Sequence, residues 1–288
     1  MADSIYPFDF PFQPHFVEID GLRIAYFDEG QGKTIFMVHG NPVAGFVYVR
    51  LMHLLVSDFR CVVVDLPGFG MSDKPELESD YSLEGYISIL SEFVQILDLQ
   101  DVAVVGHDWG GPIGFGTAVT DPQRYSHLII LNTMTEAPMK IMPIYWLPFH
   151  VLLRMRRLFA YLVKERNLFQ KLGVAIMEPA DQELYFRANH NAAARAAIAA
   201  FPRLIPHNNR HPSYPVLKQI LKKLESWEIP ALVLFSDHDS VFTVDQGERF
   251  ARRLVNGRFQ LIAGPKHFLQ YERPAEIAAA IRSFLQNF

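Results

Sequence analysis

The sequence predicts an α/β fold: a mostly parallel central sheet flanked by helices, with a helical cap inserted in it. Three observations point there. Short β-branched runs are bounded by turn residues, amphipathic helical patterns lie between them, and late in the chain this alternation stops for about a hundred residues. The runs are Thr34 to Val38, Cys61 to Val64, Val102 to Val105, Leu128 to Leu131, Ala231 to Phe235 and Phe259 to Ile262. Near-continuous apolar strands of this length suit a parallel sheet covered on both faces. Leu83, Tyr86, Ile87, Leu90, Phe93, Val94 and Leu97 share one helical face. Ile277, Ile281, Phe284, Leu285 and Phe288 do the same after Pro274, which suits a first-turn position.

Between Leu131 and Ala231 the pattern reads as helices and loops: Tyr145 to Val163, Glu183 to Ala200 and Val216 to Glu225, punctuated by prolines. An insertion after a sheet strand is expected to lie over the strand ends, where ligands bind in open α/β sheets. The expected organisation is a core of residues 1–134 and 226–288, with the cap at 135–225. The stretch Ile141 to Val163 is apolar, but Arg154, Arg156 and Arg157 make a membrane span costly, so it reads as lid.

Composition narrows the partners. With 288 residues and 50% hydrophobic content the chain can bury a large core. Its net charge of -4, with no Lys/Arg block, lacks the footprint of a nucleic-acid binder. A small molecule is the expected partner, with neither nucleic acid nor membrane. The single cysteine, Cys61, rules out an intramolecular disulfide framework and reads as a buried small hydrophobe. Met1 to Pro14 carries neither a basic n-region nor an apolar h-region, so a cytoplasmic location is expected.

The chemistry is concentrated at Gly106-His107-Asp108-Trp109-Gly110-Gly111, directly after a predicted strand. Glycines flank the nucleophile of such an elbow because the tight strand-to-helix turn leaves no room for side chains. Here the apex is a carboxylate rather than serine. Aspartate, with a reference pKa of about 3.9, needs no deprotonation near neutrality and can attack an electrophilic carbon to form an ester. Hydrolysis of that ester requires a base to activate water and an acid to orient the base. The order nucleophile, acid, histidine that accompanies the elbow points to His267, in Gly264-Pro265-Lys266-His267-Phe268 after the last predicted strand.

Two residues compete for the acid. Asp239 follows the strand Ala231 to Phe235, with Asp237 as a turn-forming neighbour, and Glu136 lies shortly after Leu131. Asn132, at the end of that earlier strand, cannot ionise. Asp239 is favoured. The segment His39-Gly40-Asn41-Pro42 follows the first parallel strand, where a loop supplies the second N–H of an oxyanion hole beside that of Trp109. The Asn41 amide and the Trp109 indole are uncharged N–H donors beside the nucleophile, which suits a soft leaving anion such as chloride or bromide.

Other motifs fall away. Gly30-Gln31-Gly32-Lys33-Thr34 echoes a P-loop, but Phe27 stands where its first glycine belongs. Gly68-Phe69-Gly70 lacks the third glycine of a dinucleotide fingerprint. His207 and His211 have no H-E-x-x-H context, so a metal is not expected.

Taken together, His39-Gly-Asn-Pro42, Asp65-Leu-Pro-Gly-Phe-Gly-Met-Ser-Asp-Lys-Pro75, the elbow, Phe201-Pro-Arg-Leu-Ile-Pro206 and Gly264-Pro-Lys-His-Phe268 resemble a haloalkane dehalogenase of the α/β-hydrolase superfamily. That resemblance implies Asp108 as nucleophile, His267 as base, and Asn41 with Trp109 as a halide clamp, acting on a small apolar haloalkane with no cofactor. Many members of the family carry a Glu acid where this chain has Asn132. The departure moves the role to Asp239, as in the subfamily with an Asp-His-Asp triad and an Asn-Trp pair, and leaves Glu136 as the alternative. The nearest rival is an epoxide hydrolase, which needs lid tyrosines; Tyr145, Tyr161 and Tyr185 are available. Haloacetate hydrolysis, an oxidative luciferase and a non-catalytic receptor are weaker readings.

Overall fold

Eight strands form one sheet in the order β1-β2-β4-β3-β5-β6-β7-β8. The computed structural model describes residues 11–133, 136, 155–166, 174–206 and 208–286. The strands are β1 (His15–Ile19), β2 (Leu22–Glu29), β3 (Thr34–Val38), β4 (Arg60–Val64), β5 (Val102–Asp108), β6 (Tyr125–Thr133), β7 (Pro230–Ser236) and β8 (Asn256–Ile262). From β4 across to β8 every pairing is parallel, whereas β2 runs antiparallel to both β1 and β4. The parallel sheet expected from the apolar runs is present, and β3 is buried at every position.

Two features of the sheet differ from the sequence reading. The hairpin β1–β2 was not among the expected strands, because its residues are mixed and largely half-exposed rather than continuously apolar. In addition, β8 begins at Asn256 and is an edge strand with a mostly exposed pattern, so the expectation of cover on both faces fails there.

Helices Leu83–Ile96, Gly110–Thr120 and Ser213–Glu225 pack on one another, and Val49–Leu55 packs with Pro274–Gln286. Two separate helix groups are what central strands buried on both faces require. The helix Leu83–Ile96 turns Leu83, Tyr86, Leu90, Phe93 and Val94 inward, and its Ser82 cap accepts from the Gly85 N–H. Cys61 is buried in β4, and burial pushes its thiol up to about 12, as suits a packing residue.

Between β6 and β7 the described residues form helices and turns. Arg156–Lys164 is helical within the expected Tyr145 to Val163 segment, whose first part lies outside the described residues. The expected single helix from Glu183 to Ala200 is instead broken. It starts earlier, at Pro179, ends at Ala188, and resumes as Ala196–Ala200. The break is at Asn189, whose side chain bonds back to the Tyr185 carbonyl, while the Asn191 carboxamide oxygen accepts from Ala194 N–H. Such local bonds offer the backbone an alternative to the helix. Arg195 ties the pieces together by donating to the Lys164 and Asn189 carbonyls. Among the described residues no helix is long and apolar enough to cross a membrane, and no metal-ligating cluster occurs.

Candidate active site

The elbow is a close approach of three backbones. Asp108 ends β5 with φ 53°, in the left-handed region that disfavours side chains, and the helix Gly110–Thr120 begins two residues later. A Cβ on Gly110 would lie 1.9 Å from the Val38 carbonyl oxygen, and one on Gly40 would lie 2.4 Å from Asp108 Oδ1. The glycines are therefore the condition for bringing the β3 loop, the β5 apex and the helix start together.

That approach puts backbone donors on the carboxylate. Asn41 N–H donates to Asp108 Oδ1 at 2.8 Å, and the Trp109 N–H also donates to the Asp108 side chain. Burial pushes the Asp108 carboxyl up, and Asp239 adds repulsion. The His267 charge and the two N–H donors oppose them.

His267 bridges two carboxylates. Its Nε2 is 3.8 Å from Asp108 Oδ2, and its Nδ1 is 3.0 Å from Asp239 Oδ2. The Asp239 side chain is wholly buried and its Oδ1 accepts from Val241 N–H at 2.7 Å. Burial disfavours the His267 cation, yet Asp239, Asp108 and Glu272 outweigh it and raise the imidazole to about 9. Phe242 stacks on the ring and Phe268 meets it edge-on. Asp108, His267 and Asp239 thus form one line, with Asp239 rather than Glu136 on His267 Nδ1. Glu136 carries a buried Oε1 that has no partner among the described residues.

The Trp109 ring is buried and meets Phe201 edge-to-face at 5.5 Å; Phe201 in turn packs on Phe69, and Phe69 on His39. His39 donates from Nδ1 to the Gly40 carbonyl and accepts at Nε2 from Leu66 N–H. The loop bearing Asn41 is held from below by this neutral imidazole. The side-chain oxygen of Asn41 is buried without a partner among the described residues. Gly68-Phe69-Gly70, set aside as a nucleotide motif, instead wraps Asp65, which accepts from Gly45 and Met71 N–H groups.

Sequence reasoning passed over three residues here. Asn132, noted only as unable to ionise, contacts Ser236, Lys266 and His267. His107 reaches the His267 carbonyl, and Ser236 reaches that of Lys266. Their signal was position alone, at the ends of β6, β5 and β7. Of the tyrosines considered for epoxide opening, Tyr161 is 45% exposed and accepts from Arg166, Tyr185 is fully buried, and Tyr145 lies outside the described residues. His207 likewise lies outside them; His211 holds the Arg203 carbonyl and the Ser213 N–H.

The family model described as the alpha/beta hydrolase fold matches residues 33–274, spanning both the elbow and the His267 loop. The chain belongs to the alpha/beta hydrolase fold family. This α/β-hydrolase is 29% identical over 287 residues to a cis-3-alkyl-4-alkyloxetan-2-one decarboxylase of Shewanella oneidensis, covering 96% of this chain and 89% of the relative. It is 26% identical over 297 residues to a haloalkane dehalogenase of Psychrobacter cryohalolentis, covering 97% and 94%. The solved haloalkane dehalogenase DatA of Agrobacterium tumefaciens C58 matches with a TM-score of 0.87 at 24% identity over 96% of each chain, a likeness that bears on the fold. The decarboxylase relative introduces a reaction that the sequence motifs did not suggest.

Proposed function

We propose that this α/β-hydrolase removes halide from small apolar haloalkanes, giving alcohol, halide and a proton through an alkyl ester on Asp108. The observation that carries the reading is the line Asp108–His267–Asp239 beneath two backbone N–H donors. In the first step an Asp108 oxygen attacks saturated carbon, and the halide leaves with the bonding pair toward the Asn41 amide and the Trp109 indole. In the second, His267 takes a proton from water as it adds to the ester carbonyl. The backbone N–H groups of Asn41 and Trp109 hold the oxyanion; its collapse expels the alkoxide, which takes the proton from His267 and leaves as alcohol, and the regenerated Asp108 carboxyl sheds the net proton. The segment 135–225 serves as the cap, excluding water where Phe201 covers Trp109.

The raised pKa of His267 fits this order. In the resting site an imidazolium near Asp108 is stable. Forming the ester cancels the Asp108 charge, so one of the groups holding the proton disappears and the ring becomes a base only when a base is needed.

The decarboxylase relative favours a second reading with the same first step. Asp108 would attack the saturated ring carbon of a β-lactone, and the departing anion would be a tethered carboxylate. Loss of carbon dioxide from that carboxylate would then form the carbon–carbon double bond and expel Asp108, with no water consumed. Assays of one preparation with 1-bromobutane and with a cis-dialkyl β-lactone test both. Bromide with butanol supports hydrolytic dehalogenation; alkene with carbon dioxide, and no bromide, replaces it by the second reading. Styrene oxide serves as the epoxide control, and diol formation from it would favour epoxide hydrolysis.

A further inference from the structure

The loop that carries His267 is fastened at successive backbone groups. Gly264 N–H donates to Asp237 and Lys266 N–H to Glu272. The Lys266 carbonyl accepts from Ser236 Oγ at 2.7 Å and from Asn132 Nδ2 at 3.3 Å. The His267 carbonyl accepts from His107 Nε2 at 2.8 Å and from Asn132 Nδ2 at 3.2 Å. Asn132 is fixed in turn, since its Oδ1 accepts from Ser236 N–H at 3.0 Å and its Nδ2 meets Ser236 Oγ at 2.7 Å. Asn132, His107 and Ser236 are all buried.

The donor inventory leaves one consistent assignment. Because Ser236 gives its hydroxyl hydrogen to Lys266, its oxygen accepts one Asn132 hydrogen, and the other is shared between the two loop carbonyls. His107 faces a carbonyl through Nε2, so Nε2 carries the proton and Nδ1 is a bare acceptor. A carboxylate at position 132 would turn an oxygen toward two carbonyl oxygens. The amide is therefore required by its surroundings, and it does more than fill a place where an acid is missing.

We propose that Asn132 and His107, with Ser236 behind them, are positioning residues that hold the His267 backbone so that its imidazole stays over the Asp108 ester. The inference rests on the ester mechanism proposed above. Its consequence is selective for one step. Displacement of the leaving group uses Asp108 and the anion donors, whereas hydrolysis needs His267 Nε2 directed at water, and a misplacement of about 1 Å can cost about a hundredfold.

The test is single-turnover kinetics with 1-bromobutane, following bromide release for alkylation and intact mass for loss of the butyl ester. Asn132→Ala and His107→Phe are expected to slow ester hydrolysis by about tenfold to a hundredfold while alkylation stays within about threefold, so that the butyl enzyme accumulates. His107→Gln, which keeps an N–H near Nε2, is expected to recover most of the hydrolysis rate. If both truncations fail to fold, Ser236→Ala, which removes only a hydroxyl, carries the same comparison. Equal loss in both steps, or no loss in either, overturns the inference. Failure of the mechanism beneath it looks different: the unaltered enzyme would release no bromide, and His267→Ala would take up no butyl group.

Discussion

The Asp108 side chain is largely enclosed, and burial alone would favour its neutral, unreactive form. The site counters this with an imidazolium and two N–H donors, and the cost is a histidine whose proton is hard to remove while Asp108 is charged. The rate of ester hydrolysis in a single turnover is therefore expected to rise with pH through a midpoint below about 9, because the ester no longer supports the His267 cation. Alkylation should be insensitive to the same titration. A hydrolysis step that ignores pH, or turns on only above about 9, contradicts the base assignment. Asp239→Asn is expected to slow hydrolysis by about 10²- to 10⁴-fold, and Glu136→Gln to leave both steps within about twofold, since His267 Nδ1 faces Asp239. At this scale the sequence was informative where chemistry demands a residue type. The order of Asp108, Asp239 and His267 identified the line, but nothing in the pattern distinguished Asn132 from an idle residue, because its partners lie 104 to 135 positions away.

The elbow shows how one element fixes the site. Its helix starts where Gly110 passes the Val38 carbonyl, leaving no space for a methyl group. Gly110→Ala is expected to destabilise the fold by about 3 kcal/mol or more, read as a lower urea midpoint, whereas Lys222→Ala, at an exposed position of the helix Ser213–Glu225, should stay within about 0.5 kcal/mol. A tolerated Gly110→Ala would mean that the three backbones are not held as described. Continuous apolar runs made β3 to β7 legible, since strands buried on both faces leave that signature. The hairpin β1–β2 and the edge strand β8 carry mixed residues and were missed or shortened. The break at Asn189 escaped a reading of periodicity because side-chain bonds to the backbone, not apolar spacing, end that helix.

For the whole molecule, the relation of the proposed cap to the core matters most. One connection lies beside the His267 loop: Tyr271 OH donates to Asp181 on the helix Pro179–Ala188 and accepts from Glu178 N–H, while Arg50 pairs with Asp181. Tyr271→Phe removes these bonds without removing the ring on which Arg50 lies. It is expected to speed amide hydrogen exchange in residues 179–188 by about fivefold, corresponding to about 1 kcal/mol, with β3 and β5 unchanged. Uniform acceleration would place the connection within global stability instead. The insertion between β6 and β7 was visible in the sequence as a lapse in alternation, but its contacts depend on Phe201, Asp181 and Arg203, single side chains that no period reveals.

The central claim is a covalent ester on Asp108 that His267 resolves. Its most direct measurement is the intact mass of His267→Ala after incubation with 1-bromobutane, with Asp108→Asn/His267→Ala beside it. The single variant should gain one butyl group, located by peptide mapping at Asp108, and the double variant should gain none. An unmodified single variant that still releases bromide, or a butyl group found on any other residue, would contradict the account.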